Sequence, residues 1–223
     1  MKRACFLLCV IIALFWACPS FAESIETPAR EAVIIDAGTG AVLFEKNARD
    51  RMPTSSMSKT MTMYMVFDVL KSGALKLTDE MPVSEKAWRM GGSKMFIEVG
   101  KRIKVEDLVQ GVVVQSGNDA AVVLAEGLGG TEESFAARMT AKAKEIGMTD
   151  SNFVNASGWP DPDHYSTAMD LATLGRHLIN DFPEYYHYFQ TPSFAWRRGS
   201  GRNHNRLLGQ VDGVDGIKTG YTR

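Results

Sequence analysis

Apolar positions along this chain change period several times, and the changes mark its elements. Glu31–Asp36 and Ala41–Glu45 are short β-prone runs on either side of Ala37-Gly38-Thr39-Gly40, which predicts a hairpin. The first run is almost continuously apolar, which predicts a strand covered on both faces. Thr54, Ser55 and Ser56 then offer hydroxyls for a helix start, ahead of a Met-rich segment that ends near Ser72-Gly73. Val105–Val114, Asp119–Glu126 and Glu132–Ile146 predict three further helices, the last capped by Thr131 and stopped at Gly147. Gly158, Pro160 and Pro162 make Phe153–Tyr165 a loop, followed by a helix over Thr167–Asn180. Tyr185, Tyr186, Tyr188 and Phe189 form an aromatic packing cluster, and Val211–Tyr221 reads as a strand. A helical block between an early hairpin and a late strand predicts an α+β fold, with an inserted, mainly helical subdomain over residues 74–151.

The N-terminus changes the picture. Lys2 and Arg3 precede an apolar run, Ala4–Ala17, and then Ser20-Phe21-Ala22. This is the order of a secretory signal peptide, residues 1–22, with cleavage after Ala22. The run is too short for a membrane span, which takes about 20 apolar residues. Cys5, Cys9 and Cys18 all fall in this leader, so residues 23–223 contain no cysteine for a disulfide, a thiolate metal site or a nucleophile. Without Lys2 and Arg3, 23 basic residues face 26 acidic ones, a formal charge of −3. That balance, without a basic run, argues against a nucleic-acid partner.

The candidate chemistry starts at Met52–Val66. Ser56 falls in the first helical turn with Lys59 three residues on, so hydroxyl and amine share one face. A helix N-terminus adds free backbone N–H groups suited to a developing oxyanion. Alone, this pair reads as an ordinary capped helix with a solvated lysine, and the neighbouring Met residues read as core filler. Two later motifs change that reading. Ser116-Gly117-Asn118 opens the helix after Val114, and Lys218-Thr219-Gly220 lies in the last predicted strand. The order S-x-x-K, S-x-N, K-T-G is specific where each part is weak.

On these motifs the chain resembles the low-molecular-mass penicillin-binding proteins of the serine peptidase S11 type, the D-alanyl-D-alanine carboxypeptidases. Gln115–Ala120, Asn155-x-x-Gly158, Ser166-Thr-Ala-x-Asp170 and Asp215–Thr222 extend the resemblance from about Glu31 to the last residue. It implies a β-lactamase/transpeptidase-like fold, an antiparallel sheet flanked by helices, with residues 23–223 as catalytic domain. It implies that Ser56 is the nucleophile, Lys59 its base and Ser116 a proton relay. Asn118, Lys218, Thr219 and Gly220 would bind substrate, and the N–H groups of Ser56 and Tyr221 would form the oxyanion hole. The implied substrates are peptidoglycan stem peptides, with β-lactams as covalent inhibitors, and the implied location is the periplasm or the outer face of the cytoplasmic membrane. No cofactor and no metal are implied, and His164, His177, His187 and His204 lack the spacing of a zinc site.

Related readings are a D,D-endopeptidase, a β-lactamase, or a non-catalytic module that binds peptidoglycan or β-lactams. The middle motif reads SGN rather than SDN, and Trp159-Pro-Asp-Pro-Asp163 lacks the β-lactamase glutamate motif; both favour the carboxypeptidase. Asp161 and Asp163 are expected as solvated turn residues. In the family the sheet continues past this motif into two strands, a closing helix and often a small β domain with a membrane-anchoring helix. The chain reaches only Arg223, so it is expected to be a fragment whose last strand lies at a sheet edge.

Overall fold

The structure, a computed structural model, describes residues 25–197 and 199–221; the predicted leader and its cysteines lie outside them. In chain order the elements are β1 (Ala32–Ile35), β2 (Val42–Lys46), a 3-10 turn (Ser55–Ser58), α1 (Lys59–Lys71), β3 (Glu80–Pro82) and α2 (Glu85–Arg89). Then come β4 (Arg102–Lys104), α3 (Val105–Val113), α4 (Asn118–Gly129), α5 (Glu132–Glu145), α6 (Ala168–Asp181), α7 (Pro183–Tyr186), β5 (Ser193–Trp196) and β6 (Gly199–Arg202). Among the described residues the strands pair as antiparallel hairpins or two-stranded ribbons, β1 with β2, β3 with β4 and β5 with β6.

The core is built around α1. Every residue from Lys59 to Phe67 is buried, so the helix has no solvent face over that length. A helix buried on all sides belongs inside a domain, and α1 is packed against α3, α4, α5 and α6. α4 is similar, with Asn118–Ala125 all buried. These two enclosed helices both begin at the same place, which carries Ser56, Lys59 and Asn118 into the interior. At the far end of α1, Phe67 stacks on Tyr185 at 5.2 Å and meets Phe189 edge-on at 6.1 Å, so the aromatic cluster is packing.

Two helix starts are capped by threonine, Thr131 as predicted and Thr167 where the sequence predicted only the start of a helix. Thr131 accepts from the Ser134 N–H at 3.1 Å, and Thr167 accepts from the Asp170 N–H at 3.0 Å. α5 stops at Gly147, whose φ of +92° suits glycine. The start of α1 differs from the prediction. Thr54 makes no side-chain cap bond; instead its Oγ1 lies 2.6 Å from Ser58 Oγ, across the 3-10 turn.

Two strand expectations are corrected. β1 is not covered on both faces: Ile34 is 42 % exposed, and Val42 and Leu43 on β2 are exposed too. One side of the hairpin leans on α6, where Arg176 Nε donates to the Ala37 carbonyl at 3.0 Å. No third strand pairs with it among the described residues. Likewise Val211–Tyr221 joins no ladder there. Its backbone is held by side chains instead: Asn205 Nδ2 donates to the Gly216 carbonyl at 2.8 Å, and Ser55 Oγ donates to the Tyr221 carbonyl. A strand needs a neighbour to pair with, and local sequence carries no information about one.

Candidate active site

Ser56 sits mid-way along the 3-10 turn, half-buried, with Lys59 at the first position of α1. The Lys59 side chain is completely buried, and its Nζ lies 3.1 Å from Ser56 Oγ. Two acceptors hold the amine from the other sides, Asn118 Oδ1 at 2.7 Å and the Ser157 carbonyl at 2.6 Å. Burial drives the Lys59 pKa well below its ordinary value, and the Lys218 charge lowers it further against the opposing pull of Asp119. A neutral amine has two N–H donors and one lone pair. With both donors committed to Asn118 and Ser157, the lone pair is left facing the Ser56 hydroxyl, as a general base requires.

Asn118 is fixed at both ends, since its Nδ2 donates to the Gly91 carbonyl at 2.7 Å. The next residue, Asp119, is buried and accepts from the Met95 N–H at 2.9 Å and the Ile97 N–H at 3.3 Å. Together they tie the 91–97 loop to the start of α4. Ser116, just before that helix, is buried with a positive φ of 57°. Such a backbone is uncommon for a serine and is found where the surroundings impose it. Its Oγ has no hydrogen-bond partner among the described residues, so it stands ready for one from a bound molecule.

A cleft of about 700 Å³ opens over Ser56, and Ser116, Asn118, Thr219, Gly220 and Tyr221 line it. Gly220 passes so close to the 3-10 turn that an added Cβ would lie 2.8 Å from the Thr54 carbonyl oxygen. Lys218 is not in the lining; its amine donates to the Thr219 carbonyl at 2.9 Å, and burial pulls its pKa down to about 8. Its charge still reaches Lys59.

The rear wall is the 155–164 loop. Asn155 Oδ1 accepts from the N–H groups of Ser157, Gly158 and Trp159 at 3.2, 2.8 and 2.9 Å, which folds the loop so that the Ser157 carbonyl faces Lys59. Asp161 and Asp163 are exposed and form a local turn, the Asp163 N–H donating to Asp161 Oδ1 at 2.8 Å.

This geometry can be compared with known proteins. The family profile described as D-alanyl-D-alanine carboxypeptidase, peptidase S11, matches residues 19–223. The chain belongs to this S11 family. Among curated relatives, D-alanyl-D-alanine carboxypeptidase DacF of Bacillus subtilis is 37 % identical over 235 residues, covering 100 % of this chain and 60 % of that protein. DacC of Escherichia coli is 39 % identical over 210 residues, covering 90 % and 52 %. Among solved structures, penicillin-binding protein 5 of Haemophilus influenzae superposes with a TM-score of 0.87 at 36 % identity, over 90 % of this chain and 59 % of that one. Penicillin-binding protein D2 of Listeria monocytogenes, solved with ampicillin bound, gives a TM-score of 0.80 at 30 % identity, over 90 % and 82 %. The fold is therefore that of the penicillin-binding proteins, the transpeptidase and β-lactamase fold, and the chain spans little more than half the length of the curated S11 relatives it matches.

All three S11 motifs meet at one cleft. The sequence missed the parts of the site that carry no motif chemistry. The Ser157 carbonyl is a backbone group, which side-chain identity does not announce. His204 and Arg206, at another edge of the cleft, lie in the irregular segment before the K-T-G motif. The 91–97 loop gave one signal, its paired Gly91-Gly92, where Gly92 has a φ of +69° and packs against Asn118 Nδ2.

Proposed function

We propose that this protein is an exported serine D-Ala-D-Ala carboxypeptidase that trims peptidoglycan stem peptides, and that β-lactams acylate it. The observation that supports this most strongly is the enclosed Lys59 amine, held by two acceptors with its third direction toward Ser56 Oγ. Ser56 attacks the penultimate D-Ala carbonyl as Lys59 takes its proton. The N–H groups of Ser56 and Tyr221 receive the developing oxyanion. The C–N bond then breaks, Ser116 passes a proton to the departing amine, and D-alanine leaves. Water hydrolyses the resulting ester. Thr219, with the Lys218 charge behind it, binds the terminal carboxylate, and the spare N–H of Asn118 Nδ2 holds the substrate amide. The leader pattern supports export, the D-alanyl-D-alanine carboxypeptidase relatives support the substrate, and the ampicillin-bound relative supports the β-lactam.

The test is D-alanine release from an N-acylated peptide ending in D-Ala-D-Ala, beside a crosslinked dimer and benzylpenicillin. Release from the free peptide alone, with a lasting penicillin adduct, is the expected result. Cleavage of the dimer would make it an endopeptidase, and rapid penicillin turnover a β-lactamase.

The pH profile follows from the two lysines. Lys59 acts when neutral, so acylation rises as pH passes its lowered pKa. Lys218 acts when charged; its folded pKa is about 8, so its contribution is complete below that value and fades as pH rises through it. Acylation is expected to fall above about pH 8, and Lys218→Arg to carry that limb beyond about pH 10, because guanidinium stays protonated. A falling limb that Lys218→Arg leaves in place would contradict the assignment.

A further inference from the structure

His164 belongs to the rear-wall loop yet has no part in the chemistry above. It is buried, and the Val154 N–H donates to its Nδ1 at 3.3 Å. An accepting Nδ1 puts the ring proton on Nε2, and Nε2 lies 2.7 Å from Ser58 Oγ. Ser58 Oγ lies in turn 2.6 Å from Thr54 Oγ1. Thr54 and Ser58 are both fully buried and bracket the 3-10 turn that carries Ser56. The chain His164–Ser58–Thr54 therefore closes that turn from behind. The same loop presses Gly158 against the Ser55 carbonyl and offers the Ser157 carbonyl to Lys59.

The turn needs such a brace. A 3-10 turn has poorer hydrogen-bond geometry than an α-helix. This one lacks a side-chain cap and starts at Ser55 with a φ of +48°. We infer that His164 is a positioning residue for acyl transfer: its Nε2–H, through Ser58 and Thr54, holds Ser56 Oγ in line with the Lys59 amine. This rests on the acyl-enzyme reading above. Burial lowers the His164 pKa to about 4, so the ring stays neutral and keeps its tautomer at working pH. Phe153, edge-on at 5.5 Å, fixes the ring plane.

The test separates rate from folding. Benzylpenicillin acylation is followed at several concentrations for wild type, His164→Leu, His164→Gln and Ser58→Ala, yielding the pre-acylation dissociation constant, the acylation rate constant and the fraction of Ser56 that can be labelled. His164→Leu is expected to slow the acylation constant about 10- to 100-fold, the scale of a small misplacement of reacting groups. The dissociation constant and the labelled fraction should stay near wild type. Gln, which can donate toward Ser58 and accept from Val154, should recover most of the rate. A merely structural role would lower the labelled fraction and leave the rate constant of the folded remainder unchanged, which overturns the inference. Should His164→Leu fail to fold, Ser58→Ala cuts the same chain from the other side, and a wild-type acylation constant there overturns it too. A wild-type protein that forms no adduct would instead overturn the acyl-enzyme reading, and the inference with it.

Discussion

Lys59→Met is expected to slow acylation of Ser56 by about 10³-fold, within the range a general base supplies. Met keeps the length and apolar body of the side chain, so packing among Met61, Met63 and their neighbours should survive. What goes is the amine. Ser56 Oγ then loses the amine beside it, and Asn118 Oδ1 and the Ser157 carbonyl lose their shared donor. The rising limb of the pH–rate profile should disappear as well, because Lys59 is its source. Stopped-flow measurement with a fluorescent penicillin reads both effects. A variant within about tenfold of wild type would show that the proton leaves Ser56 by another route.

Gly158→Ala is expected to be the most damaging single methyl in the site region. At a φ of +74° a Cβ is strained in any surroundings, and here it would fall inside the Ser55 carbonyl group and 3.1 Å from Ser58 Oγ. The obstacle is backbone, not the end of a flexible side chain, and it belongs to the turn that carries Ser56. Strain and overpacking together should cost about 3–5 kcal/mol of stability. Any protein that still folds should acylate slowly, because the turn must move to make room. Urea unfolding measures the first effect and penicillin labelling the second. A loss under about 1 kcal/mol would mean that the loop and turn are not clamped as described.

Much of this was legible in the sequence where local pattern and global fold agree. Met61, Met63 and Met65 are buried as the core filler they were expected to be, and Thr131 caps as its position suggests. The Ser56–Lys59 pair follows from helical spacing alone, although the turn proves to be 3-10 rather than α. Asn118 is different: its meeting with Lys59 spans 59 positions, and no local period foretells it. Only the resemblance placed it there. The Ser157 carbonyl and the His164 brace depend on how one loop lies against one turn, and neither a backbone oxygen nor a lone histidine marks that. The strand expected over Val211–Tyr221 has the right composition, but a strand is defined by its partner. β3, α2, β4 and the β5–β6 hairpin are simply too short to establish a period.

The central claim is that Ser56 is a nucleophile armed by a buried, neutral lysine. The most direct measurement is the intact mass of the purified protein after incubation with benzylpenicillin, beside Ser56→Ala. A mass increase of one penicillin per chain, absent from a Ser56→Ala variant that unfolds at the same urea concentration, is the expected result. Labelling that persists in Ser56→Ala, or a folded wild-type protein that takes up no penicillin, would contradict it.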